Sequence, residues 1–143
     1  LAEGRLRVDD RVIAIDNIRV PIFAVGTERD HVAPWRSVFK IARLADTDVT
    51  LLLTSGGHNA GIVSEIGRPD RHYRIGGRRE HDPYVDPDRW AAETPIQAGS
   101  WWPEWQAWLA ARSGKPAAPP RVGNAAGGNA VLDDAPGRYV HAG

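Results

Sequence analysis

The sequence contains no cysteine and no methionine. The first absence excludes disulfides, thiolate metal sites and a cysteine nucleophile within these residues. The second bears on the start of the chain. A polypeptide read from its own start codon begins with Met, and removal of that Met ordinarily needs a small second residue, which Leu1 is not. A fragment of a longer protein is therefore expected, with a recombinant product trimmed at its front as the plainer alternative. Net charge is absent too: 18 basic residues balance 18 acidic ones. No bulk field draws such a chain to nucleic acid or to an acidic membrane. Long hydrophobic runs are also missing, and nothing approaches the ~20 apolar residues that span a bilayer. Leu1-Ala2-Glu3-Gly4 lacks the basic start and apolar stretch of a signal peptide.

What is present is ordinary for a globular chain. Apolar residues make up 42% of the 143 positions and charged residues 25%, enough for one domain with a core. Arginine supplies sixteen of the eighteen basic residues, a bias that points to a GC-rich bacterial genome and not to a chemistry.

Residues 18–25 predict the clearest strand: they are β-branched and nearly all apolar, with Gly26 closing the run. Continuous apolarity implies burial on both faces, as in a parallel sheet. Residues 34–45 predict a helix opened by Pro34, with Trp35, Val38, Phe39, Ala42 and Ala45 at helical spacing. Residues 48–54 predict a second buried strand, followed by Ser55-Gly56-Gly57-His58. Strand, helix and strand make a βαβ unit. Residues 64–95, rich in Arg, Asp, Pro and Gly, read as an excursion outside the core. Residues 100–113 predict a helix with Ser100 as N-cap and Pro103 in its first turn. Its Trp101, Trp105, Trp108, Leu109 and Arg112 share a face. Three segments result: 1–17 as the end of a preceding element, 18–113 as the folded portion, and 114–143 as a linker and tail rich in Pro, Ala and Gly.

Chemistry in open α/β sheets collects at the carboxyl ends of the strands. Asp30 follows the first predicted strand and His58 the second, each in a polar loop. A catalytic triad needs a nucleophile, a base and an orienting acid. In the α/β-hydrolase arrangement the chain order is nucleophile, acid, histidine. Asp30 and His58 match the last two members in order and position. Taken singly, Asp30 is a turn former or helix cap, and His58 a solvated loop histidine. His31 either faces the same site or caps the helix at Pro34, and capping is the preferred reading. No G-x-S-x-G or G-x-C-x-G occurs, so both the nucleophile and its oxyanion-hole amide are missing. The cluster Arg68, Arg71, Arg74, Arg78 and Arg79 suits phosphate or forms a solvated loop paired with Asp70 and Glu80. His72, His81 and Asp82 match no standard metal spacing. The basic run is too short to favour nucleic acid.

The stretches "VPIFAVGTERDHVAPWRSVFKIARL", "VTLLLTSGGHNAGIVSEIGRP", "DPYVDPDRWAAETPIQAGSWWPEWQAWLAARSG" and "APGRYV" resemble the C-terminal part of polyhydroxyalkanoate synthases. The resemblance runs from about residue 18 to the end. It implies an α/β fold, the C-terminal portion of an α/β-hydrolase domain with parallel strands and flanking helices, here without the nucleophile elbow. The implied activity is acyl transfer. An upstream cysteine takes a 3-hydroxyacyl group from coenzyme A and passes it to a growing polyester, with Asp30 and His58 completing the triad. His31 is implied as a supporting residue, and Arg68, Arg71 and Arg74 are the candidates for binding substrate. The chain alone is expected to be inactive, and neither metal nor cofactor is called for. The resemblance also implies a cytoplasmic protein at the surface of storage granules and allows a homodimer of the parent. Two rivals stay open: another α/β-hydrolase, an esterase or acyltransferase with an upstream serine, and a non-catalytic granule-binding module. Trp101, Trp102, Trp105 and Trp108 are read as helix packing on the sheet, with a surface for polymer or a partner as the alternative.

Overall fold

The computed structural model describes residues 1–141. It divides into two units, residues 1–112 and 113–143. The first opens with a small antiparallel hairpin, β1 (Leu6–Val8) and β2 (Arg11–Ile13). Asp9 and Asp10 take positive φ at its tip, as a two-residue primed turn requires. A short 3-10 turn follows at Ile15–Asn17.

The main sheet has four strands in the order β3 (Ile22–Thr27), β4 (Val49–Thr54), β5 (His72–Arg78) and β6 (Gln97–Ala98). β3 and β4 are parallel, with Ala24 opposite Leu51 and Thr27 opposite Thr54. β4–β5 and β5–β6 are antiparallel. The predicted βαβ pair is thus parallel, but two antiparallel strands join it, so the architecture is mixed α/β around a mixed sheet and not the all-parallel one that the sequence predicts. β3 begins four residues later than predicted and absorbs Gly26 instead of ending on it. It is only half buried along Ile22–Val25, because it pairs on one side alone among the described residues.

β4 explains its own apolar run. Val49, Leu51 and Leu53 face one layer with Phe39, Ala42, Ala45 and Trp90. Leu52 faces the other with Tyr73 and Trp101. A strand with two buried faces needs apolar residues at both parities, and each buried leucine contributes about 1.5–3 kcal/mol. The crossover helix is interrupted: α1 (Trp35–Phe39) and α2 (Ile41–Leu44) meet at Lys40. There the Lys40 amide bonds back three residues to Ser37, a tighter turn than the α-helical one.

Residues 64–95 depart furthest from what their composition predicts. They are not an excursion. They contain β5 and α3 (Pro87–Glu93), and place Tyr73 and Trp90 in the core. Asp86 caps α3 by accepting the Arg89 amide at 3.0 Å. In α4 (Trp102–Ala110) the Ser100 hydroxyl accepts the Trp102 amide, one position outside the helix boundary. The tryptophans divide their work. Trp101 is buried, Trp108 meets Phe23 edge-on with ring centres 5.5 Å apart, and Trp105 stays 44% exposed.

The second unit carries an isolated bridge between Asn124 and Asn129 and short 3-10 turns at Ala125–Gly127 and Arg138–His141.

Candidate active site

The site is built by extending one ladder past the ends of its strands. The Glu28 amide donates to the Thr54 carbonyl and the Arg29 amide to the Gly56 carbonyl, both at 2.9 Å. The chain after β3 and the chain after β4 therefore leave the sheet side by side. Asp30 then turns back on itself. Its Oδ1 accepts the amides of Val32 and Ala33, each at 2.8 Å, an Asx-type turn that fixes the carboxylate. Its Oδ2 is left to point at the neighbouring loop, where His58 Nδ1 donates to it at 2.8 Å. The Asp30 side chain is 7% exposed and that of His58 47%.

The Ala33 amide is the main cause that holds the Asp30 carboxyl below its ordinary pKa. The bonds from His58 and Val32 act in the same direction, and together they outweigh burial. An ionised carboxylate only accepts hydrogen bonds, so Nδ1 of His58 carries a proton, and in the neutral ring Nε2 then holds the lone pair. Nε2 has no hydrogen-bond partner among the described residues. An oriented imidazole with a free basic nitrogen is what general-base catalysis needs.

Because folding lowers this pKa, the unfolded chain takes up the proton first as the solution is acidified. The stabilisation from Asp30 is whole above the ordinary carboxylate value of about 3.9 and fades as pH falls through the lower folded one. Denaturant unfolding at stepped pH checks this. The stability gap between wild type and Asp30→Asn should narrow below about pH 4; parallel curves would contradict it.

The His58 loop has little room. Gly56 lies at φ +107, in the glycine region. Gly61 bonds back to the Gly57 carbonyl at 2.8 Å and sits against β3. A Cβ there would lie 2.5 Å from Thr27 Cγ2 and 2.9 Å from the Ser55 carbonyl oxygen. Gly61→Ala is expected to cost about 1–3 kcal/mol by overpacking and to move His58 away from Asp30. A lower urea midpoint together with lost activity is the expected result; an unchanged midpoint would show slack in the loop.

The other predicted residues fare unevenly. His31 is exposed and caps nothing: α1 follows Pro34 with no side-chain cap. The free amides ahead of that helix are taken by Asp30 instead. Arg68 pairs with Glu65 at 3.2 Å, and Arg74 donates to the Thr94 carbonyl at 2.6 Å. Only Arg71 adjoins the site loop, with Nη1 2.9 Å from where a Cβ on Gly56 would stand. Its Nε is buried without a hydrogen-bond partner. Among the described residues no three of His, Asp or Glu gather as a metal-binding group, and no helix is long and apolar enough to cross a membrane. Sequence reasoning misses a second acid–imidazole pair, Glu28 with His72 Nε2 at 3.2 Å. Glu28 lies in plain view beside Asp30, but His72 opens a strand that the composition of residues 64–95 disguises as loop.

The chain is of mixed α/β class, with an acid and a histidine hydrogen-bonded to each other at the carboxyl ends of two parallel strands. Over nearly its whole length the chain is homologous to poly(3-hydroxyalkanoate) polymerases. It is 34% identical over 140 residues to the poly(3-hydroxyalkanoate) polymerase subunit PhaC of Rhizobium meliloti (strain 1021), which covers 98% of this chain and 22% of that protein. It is 34% identical over 141 residues to the PhaC subunit of Cupriavidus necator, covering 97% and 23% respectively. With poly(3-hydroxyalkanoate) polymerase 1 of Ectopseudomonas oleovorans the identity is 32% over 137 residues, covering 95% and 23%. The chain thus spans under a quarter of the length of these relatives. No family model matches it.

Proposed function

We propose that this chain supplies the general base and the orienting acid of a polyester synthase of α/β-hydrolase fold, whose nucleophilic cysteine lies upstream of these residues. The observation that carries the reading is the 2.8 Å contact between Asp30 Oδ2 and His58 Nδ1, with Nε2 left unpartnered. The chain has no cysteine of its own, and its relatives are more than four times longer than the stretch it matches. Alone it is inactive.

In this scheme His58 Nε2 removes the proton from the upstream thiol. The thiolate attacks the thioester carbonyl of a 3-hydroxyacyl-coenzyme A, and the coenzyme A sulfur leaves with the proton returned from the imidazolium. His58 then takes a proton from the 3-hydroxyl of a second acyl unit. That oxygen attacks the acyl-enzyme, forming the ester and releasing the cysteine sulfur, which recovers the proton. Asp30 holds the productive tautomer and stabilises the imidazolium at each stage. Arg71, half buried against Gly56 with an unsatisfied Nε, is the arginine best placed for a phosphate of coenzyme A; Arg68 and Arg74 have partners within the chain.

The test is to incubate the full-length protein with 3-hydroxybutyryl-coenzyme A and follow thiol release. Polymer formed in step with free thiol is the expected result. Release of free 3-hydroxybutyrate without polymer would assign a hydrolase with an upstream serine instead.

One feature favours an added role at the polymer surface. Phe23, Ile62, Val63, Trp102 and Trp105 line an open apolar groove of about 420 Å³. Exposed apolar patches of this kind mark interaction sites. Trp105→Ala is expected to reduce granule attachment with an unchanged Tm; undiminished attachment would remove the groove from this role.

A further inference from the structure

The pair hidden in the sequence lies at the same end of the sheet as Asp30 and His58. Glu28 directly follows β3, two residues before Asp30, and its amide is the one that prolongs the ladder to Thr54. His72 opens β5, at the far end of the loop that carries His58. Its backbone is tied to the near end of that loop: the His72 amide donates to Ser55 Oγ at 3.2 Å, and the Ser55 amide donates to the His72 carbonyl at 2.9 Å. Its imidazole Nε2 reaches over the end of β4 to both carboxylate oxygens of Glu28, each at 3.2 Å. One residue therefore gathers three chain segments: the root of the Asp30 loop and both ends of the His58 loop.

We propose that Glu28 and His72 are positioning residues that set the Asp30–His58 contact by clamping the roots of the two loops. This rests on the polyester-synthase reading, because the reaction is its readout. An ordinary surface ion pair does little, and with side chains 32% and 38% exposed this one adds little to global stability. Its effect is geometric. His58 sits on a loop whose two ends are held by His72, and a displacement of about 1 Å at a reacting group costs on the order of 10²-fold in rate. Ser55 joins the loop ends to each other. The Glu28–His72 bond ties the far end to the strand that delivers the acid.

The test uses the full-length protein and four variants at this pair, with His58→Ala as reference. His72→Ala and Glu28→Ala are expected to lower kcat by about tenfold to a hundredfold while leaving KM within about twofold, since substrate contacts are not removed. His72→Gln keeps an N–H donor near the position of Nε2, and Glu28→Gln keeps an acceptor. Both should recover most of the loss. If His58→Ala is inactive while His72→Ala turns over like wild type, the clamp is overturned and the general-base reading stands. If the Gln variants fall as far as the Ala variants, the clamp is overturned as well. Full activity in His58→Ala would instead overturn the general-base reading itself.

Discussion

On the proposed reading, His58→Ala in the full-length protein is expected to lower polymerisation by about 10²–10⁴-fold, the range that a positioned general base contributes. The imidazole is half exposed and belongs to neither core cluster. Its removal leaves Val49, Leu51, Leu53 and Trp90 in place, so Tm should change little. In the proposed scheme the loss is that of the Nε2 lone pair, and since one nitrogen there serves both acylation and ester formation, both halves of the reaction are expected to slow. Stopped assays that separate the first thiol released from later turnover check this. A folded variant with undiminished turnover would exclude the role.

Asp30→Asn is the second large effect, with a loss on the order of 10³–10⁴-fold. The substitution keeps the shape of the side chain, and the amide oxygen still accepts from Val32 and Ala33. The amide nitrogen then faces His58 Nδ1 in place of Oδ2. Two donors cannot share that line, so the imidazole moves its proton to Nε2 and turns the lone pair of Nδ1 toward the introduced amide. Nε2 is then unable to accept the proton of the nucleophile. Asp30→Ala is expected to lose comparable activity and, in addition, stability, since the turn at Val32 and Ala33 loses its acceptor. The comparison separates orientation of the base from support of the loop. Equal melting of the two variants would show that the turn holds without the carboxylate.

Sequence patterns reveal the parts of this molecule whose physics is local. β4 is legible because Leu51, Leu52 and Leu53 are buried on alternating faces, which leaves no polar position to blur the run. The meeting of Asp30 and His58 is legible because both follow strands that pair in parallel, and loops after such strands bear side chains at one end of the sheet. β5 is not. Its arginines look solvated in one dimension, yet Arg74 and Arg78 turn their guanidinium groups onto backbone carbonyls of Thr94, Ala45 and Glu80. Those carbonyls belong to segments far along the chain or just past the strand, and no periodicity announces them. Trp90 is hidden for a related reason: its helix is only seven residues long, too short for a 3.6-residue pattern to emerge. The capping role expected of His31 fails because Asp30, its neighbour, performs both the turn and the contact to His58. A sequence shows that an acid and a histidine adjoin a helix start, but not which one takes the free amides.

Whether Asp30 and His58 work as one unit is tested most directly by a double-mutant cycle in the full-length protein. If the acid acts only through the imidazole, removing it after the imidazole is gone costs nothing more. Asp30→Asn combined with His58→Ala is expected to be no slower than His58→Ala alone. Losses that multiply, with the double variant slower by the full Asp30→Asn factor, would contradict it.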